Sequence, residues 1–182
     1  MIFAYQLAKG MEYIHSCHLL HRDLAARNVL LCNGNILKIT DFGLAKDVSN
    51  YDDQYLQKSD TKVPMKWLSP ESIRCQIYNQ ATDVWSFGVL LWELFSLGDT
   101  PYHHLHVSEL LQELDSGYRL RIPEQVDDDV MEYISRCWNA DPESRCNFME
   151  LTFFFASKIS NDSLLYYENC YRDVGYEIPQ IH

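Results

Sequence analysis

The stretch HRDLAARNVLLCNGNILKITDFG, residues 21–43, brings together three side chains able to hold a cation or take up a proton: Asp23, Asn28 and Asp41. Carboxylate and amide oxygens are hard ligands suited to a cation such as Mg²⁺, and a carboxylate within reach of a hydroxyl can accept its proton. His21, Arg22 and Arg27 stand among them. Asp and Asn also serve as plain turn caps, so the elements that position these three decide which use applies.

Those elements begin with a helix. Phe3, Leu7, Ala8, Met11 and Ile14 recur at spacings of three and four, the pattern of one apolar helix face, and the first residue reads as an interior point of a longer element. HLLHRDLAARN follows as a loop. VLLC and ILKIT, joined by Asn33-Gly34-Asn35, predict a short β-hairpin, since Asn-Gly supplies the positive φ of a tight turn. The three groups thus fall on loops flanking a small rigid hairpin. From Asp41 to Pro64 no apolar period is sustained, and a loop this long in a compact domain is functional or mobile.

A run from Thr82 to Leu97 is apolar on every side, which predicts a buried central helix. It carries Glu93 and falls short of the ~20 residues a bilayer span needs. Amphipathic helices are expected at about 107–116, 128–138 and 147–160, with Asp127, Asp128 and Asp129 at the positive end of the second. Residues 161–182, rich in tyrosine, lose the helical period and read as a flexible tail.

The 182 residues fit one domain, and 47% hydrophobic content supports a globular core. With 15 basic against 26 acidic residues the net charge is −11, so no broad basic surface is available for nucleic acid. The six cysteines are widely spaced and form no disulfide framework, which fits reduced thiols in a cytoplasmic setting. His103, His104 and His106 cluster without an acidic or cysteine partner at ligand spacing, and read as exposed loop residues.

In this order, the loop acids, hairpin, Asp41-Phe42-Gly43, long polar loop and buried helix resemble the larger, mainly α-helical C-terminal lobe of a protein kinase. His21-Arg22-Asp23 with Asn28 matches H-R-D-x-x-x-x-N, Asp41-Phe42-Gly43 matches D-F-G, and Ser69-Pro70-Glu71 stands where A-P-E is expected. The resemblance implies the family's roles: Asp23 as catalytic base, and Asn28 and Asp41 as Mg²⁺ ligands at the phosphates of ATP. It also implies Leu30 as the floor beneath adenine. Asp83 would accept backbone hydrogens from the catalytic loop and anchor a column with His21 and Phe42, and Glu71 and Arg145 would form a buried ion pair. Cys146 stands where proline is common.

Ala25-Ala26-Arg27 and Pro64-Met65-Lys66-Trp67 are similar to tyrosine-kinase segments, with Arg27 reaching Asp23 and residues 64–67 offering a platform for a substrate tyrosine ring. AKGMEY, DFGLAKDV, PMKWLSPESI and VWSFGVLLWELFSLG are most like receptor tyrosine kinases of the platelet-derived and vascular endothelial growth factor receptor group. In that frame residues 1–160 are the lobe and 41–71 its activation segment. Tyr55 is the expected phosphorylation site, with Tyr51 second, and Arg22 and Lys46 would receive the phosphate. Tyr167 and Tyr176, in the tail, would dock Src-homology adaptors.

No Gly-rich loop, V-A-I-K lysine or hinge occurs in the sequence, so the resemblance covers the second part of the kinase domain, with the N-terminal β lobe absent. Two functions follow: part of a tyrosine kinase at the cytoplasmic side of the plasma membrane, inactive alone, or a catalytically dead interaction module.

Overall fold

A computed structural model describes residues 1–50, 53–57 and 63–174, with side chains to residue 170. Helix α1 (Ile2–Ser16) buries Ala4, Tyr5, Leu7, Ala8, Met11 and Ile14, close to the face its spacing predicts. It ends where His18 turns left-handed, φ 56°. Strand β1 (Leu19–Leu20) follows, then a 3-10 turn at Ala26–Asn28. Strands β2 (Val29–Cys32) and β3 (Ile36–Ile39) form the expected antiparallel hairpin, Val29 opposite Ile39 and Cys32 opposite Ile36. Gly34 at φ 74° and Asn35 at φ 58° make its turn.

The polar loop contains more structure than its composition predicts. Strand β4 (Lys46–Asp47) pairs with β1, and β5 (Gln54–Leu56) pairs with β6 (Ile77–Asn79), Tyr55 opposite Tyr78. Between them, Met65–Trp67 forms a 3-10 turn and α2 spans Pro70–Cys75, capped by the Ser69 side chain. Strands of two or three residues have too few positions to display a period of two. Their pairing is set by tertiary register instead.

Helix α3 (Gln80–Phe95) is the buried central helix, starting two residues before Thr82 because Asn79 and Thr82 form a capping box. Around it stand α4 (Val107–Asp115), α5 (Asp128–Cys137) and α6 (Phe148–Ser157). The Asp127–Asp129 run begins α5 as expected. Gly88 of α3 permits the close approach of α5: a Cβ there would lie 2.6 Å from Trp138 Nε1 and 2.8 Å from Cys137 Cβ. One continuous core unites α1, α3, α5 and α6, and a smaller one gathers Leu20, Val48, Leu68 and Tyr78, with Tyr55, Val63, Met65 and Ile73 packed against it.

The segment from residue 161, read from the sequence as a flexible tail without helical period, is helical over its first part. Asn161–Val174 forms helix α7, begun by the Ser160 hydroxyl accepting from Ser163 N–H. Leu164 packs on the main core and Tyr167 is buried. Leu165 and Tyr166 point outward, so apolar residues on both faces obscure the period. Tyr176 and Tyr51 lie outside the described residues.

Candidate active site

The loop that carries Asp23 hangs from one carboxylate. Asp83, in the first turn of α3 and 1% exposed, accepts the backbone N–H of His21 on Oδ2 at 2.8 Å and that of Arg22 on Oδ1 at 2.9 Å. His15 of α1 donates through Nε2 to Oδ2 at 3.0 Å. Burial pushes this carboxyl up, but the His15 bond, the two nearby imidazoles and the backbone donors outweigh it and hold it below its usual range. Asp83 is therefore an ionised hub that fixes where residues 21 and 22 sit.

His21 extends that hub toward Asp41. Burial holds its imidazole below the ordinary histidine value, against the pull of Asp83 and the Thr40 carbonyl. As a neutral ring it uses both nitrogens: Nε2–H donates to Thr40 O at 3.1 Å, and Nδ1 accepts Asp23 N–H at 3.3 Å. Its ring packs tilted against the Phe42 ring, centroids 5.0 Å apart. Asp23 and the residue preceding Asp41 are thus tied to one imidazole.

Asp23 itself is held on both oxygens. Arg27 donates to Oδ1, and Asn28 Nδ2 donates to Oδ2 at 2.9 Å and to the Asp23 carbonyl at 2.7 Å. Each carboxylate oxygen keeps a second lone-pair direction for a substrate hydroxyl. With its amide N–H groups spent on Asp23, Asn28 presents its carbonyl oxygen for a cation. Asp41 adopts a left-handed backbone, φ 61°, and takes Gly43 N–H on Oδ1 at 3.3 Å, leaving Oδ2 as an oxygen that could hold a cation. One amide oxygen and one carboxylate are the hard donor set that Mg²⁺ prefers.

Residues 64–67 lie against the same arginine. The Arg27 guanidinium stacks 4.5 Å from the Trp67 ring centroid, so one side chain joins Asp23 to residues 64–67. Lys66 Nζ donates to the Tyr102 carbonyl at 2.8 Å, anchoring the Met65–Trp67 turn that follows Pro64. Leu30, on β2, is 54% exposed and presents an apolar surface beside the loop. Glu71 and Arg145 form the expected ion pair, Nη1 to Oε1 at 2.6 Å and Nη2 to Oε2 at 3.0 Å.

Glu93 and His15 are site-supporting residues that motif reading does not reveal. Glu93 Oε2 accepts both Ala26 N–H and Trp67 Nε1–H at 2.9 Å, bridging catalytic loop and platform. Burial pushes its carboxyl up, against the Trp67 and Ala26 bonds and the Arg27 charge. It is the one charge within Val84–Leu97, and a buried charge in an apolar helix is a signal of function.

Tyr55 sits in a strand, and its ring lies near two cations: 4.7 Å from the Arg22 guanidinium and 5.6 Å from Lys46 Nζ. Arg22 is buried, with φ 68°, donating to the Leu44 carbonyl at 2.9 Å and to Gln57. Its Nε has no hydrogen-bond partner among the described residues.

A loop suspended from a buried helix carboxylate, the Asp-Phe-Gly turn tied to it through His21, and an aromatic platform beside its arginine together define the helical lobe of a protein kinase. A family model described as protein tyrosine and serine/threonine kinase matches residues 1–155, and the chain belongs to that family. It is 48% identical to platelet-derived growth factor receptor alpha of Takifugu rubripes over 167 residues, which cover 91% of this chain and 16% of the receptor. The human platelet-derived growth factor receptor alpha is 45% identical over 94% of this chain and 16% of that protein. Vascular endothelial growth factor receptor 1 of Gallus gallus is 47% identical over 82% of this chain and 11% of that protein. The chain therefore spans between about one ninth and one sixth of the length of these receptors. Among the described residues no helix is long and apolar enough to cross a membrane.

Proposed function

We propose that this chain supplies the base, the metal ligands and the substrate platform of a receptor-type protein tyrosine kinase, which transfers the terminal phosphoryl group of ATP to tyrosine in protein substrates. The observation that carries this reading is Arg27, paired to Asp23 on one side and stacked on Trp67 on the other. A tyrosine ring lying along residues 64–67 presents its hydroxyl toward Asp23, whereas a serine on the same surface is too short to reach. Asp23 orients that hydroxyl and takes its proton as the new bond forms. Asn28 and Asp41 would hold Mg²⁺, which neutralises charge on the phosphates when bound, and Leu30 supplies apolar contact beneath adenine. The enzyme works at the cytoplasmic side of the plasma membrane.

Tyr55 is the regulatory tyrosine of this reading. A phosphate there adds about −1.5 to −2 charge beside Arg22 and Lys46, whose cationic groups lie 4.7 and 5.6 Å from the Tyr55 ring centroid. Tyr55→Phe in the complete receptor should therefore lower the rate of peptide phosphorylation severalfold while leaving the unphosphorylated basal rate unchanged. Adaptor docking is assigned to Tyr176, since Tyr167 lies in the core and becomes accessible only if α7 leaves it.

The 182-residue chain alone should transfer phosphate negligibly. Positioning of the phosphates supplies much of the rate in phosphoryl transfer, and this sequence contains neither the V-A-I-K lysine nor the Gly-rich loop that position them. The test uses purified chain with Mg²⁺-ATP and a tyrosine peptide, beside the product of the full reading frame extended upstream of the Met1 codon. Expected are no incorporation by the chain and robust incorporation by the extended product, lost in Asp23→Asn. An extended product with a Gly-rich loop and strand lysine that remains inactive would favour the interaction module instead.

A further inference from the structure

Cys137 closes α5, and Cys146 directly precedes Asn147, the cap of α6. Their Sγ atoms approach to 3.5 Å, and the residues are 0% and 2% exposed. The segment between them lies on the surface, with Asn139, Ala140, Asp141, Glu143 and Ser144 exposed. The pair thus sits one layer below solvent at the mouth of a short loop. Neither thiol has a part in phosphoryl transfer.

We propose that Cys137 and Cys146 form an oxidation-sensitive dithiol that hydrogen peroxide closes to a disulfide. Contact between the sulfurs already satisfies the proximity requirement, and a bond of about 2.05 Å needs side-chain rotation and a small backbone adjustment. The two thiols divide the roles. Cys146 is shifted toward thiolate by the hydrogen bond from Cys137 and, despite burial, by the Arg136 guanidinium, while burial keeps Cys137 protonated. The Cys146 thiolate attacks one peroxide oxygen, breaking the O–O bond and releasing hydroxide, to give a sulfenic acid. The Cys137 sulfur, losing its proton, then displaces the sulfenic oxygen as water. Two thiols and one peroxide become one disulfide and two waters, the sulfurs being oxidised and the peroxide oxygens reduced.

The bridge has a structural consequence because Arg145 lies inside the loop it closes. Arg145 holds Glu71 of α2 and donates to the carbonyls of Asn139 and Ala81 at 3.0 Å. Closure pins the segment that links the end of the activation segment to α3 and α6.

The 182-residue chain, treated with hydrogen peroxide at low protein concentration, alkylated after unfolding and digested, provides the test. Two of its six thiols should disappear, a peptide pair joined through Cys137 and Cys146 should appear, and dithiothreitol should restore both. Cys146→Pro and Cys146→Ser should abolish the joined pair while leaving Cys137 alkylatable. Hydrogen exchange over residues 138–145 should slow in the oxidised wild-type chain. Full alkylation of both cysteines after peroxide, a sulfinic acid at Cys146 without the linked peptide, or linkage of Cys137 to a different cysteine would each overturn the proposal. The wild-type peptide map decides this even if both variants misfold.

Discussion

Replacing Asp83 with alanine should leave the chain without a well-populated folded state. Its carboxylate is the shared acceptor for His21 N–H, Arg22 N–H and His15 Nε2, all in a part of the core closed to water. Each buried donor left unsatisfied costs about 1–3 kcal/mol, so the three together amount to several kcal/mol, against the ~5–15 kcal/mol that stabilises an ordinary domain. Asp83→Asn should fall between, because one amide oxygen can still accept but its NH₂ faces a donor. Glu132→Ala, on the exposed face of α5, provides a control expected within about 0.5 kcal/mol of wild type. Urea denaturation followed by tryptophan fluorescence reads all three. A midpoint for Asp83→Ala equal to that of Glu132→Ala would show that the loop is held by something other than this carboxylate.

The same hub explains which parts of the site were legible before the fold was known. Asp23, Asn28, Asp41 and Phe42 stand in short motifs of fixed spacing, whereas the Glu71–Arg145 pair, 74 residues apart, is legible only through the kinase resemblance. The α1 and α3 helices were readable because burial on one or all faces leaves a periodic trace over 15 and 16 residues. His15 and Glu93 escaped because their partners lie 68 and 67 residues away in sequence, a separation over which no local pattern exists. Tyr55 escaped as a strand residue for the same reason: its partner Tyr78 is specified by tertiary register, not by alternation. Helix α7 was missed because Leu165 and Tyr166 face solvent beside the core-facing Leu164 and Tyr167, so its apolar residues form a block rather than a stripe.

Breaking the Glu71–Arg145 pair from the acidic side should be the second large effect. The Arg145 side chain is 0% exposed, stacked 5.0 Å from the Trp85 ring, and Glu71 satisfies both of its terminal nitrogens. Glu71→Ala strands that guanidinium and should cost about 3–5 kcal/mol, whereas replacing both partners by methionine should cost less than the single change, since no buried charge remains. The pair also predicts a pH profile. Burial pushes the Glu71 carboxyl up, but Arg145 pulls it down further, so in the folded chain it lies below its ordinary value of 4.5. Above that value both folded and unfolded chains carry the charge and the full stabilisation is present. As pH falls below 4.5 the unfolded chain binds a proton first, and the stabilisation is lost as pH passes through the depressed folded value. Asp83, depressed in the same direction, adds its own acid sensitivity, so the informative quantity is the difference between wild type and Glu71→Gln. Their urea midpoints should be farthest apart at neutral pH and converge as the solution is acidified below the ordinary glutamate value. Parallel profiles across that range would mean that Arg145 gains its hold from the Asn139 and Ala81 carbonyls rather than from the carboxylate.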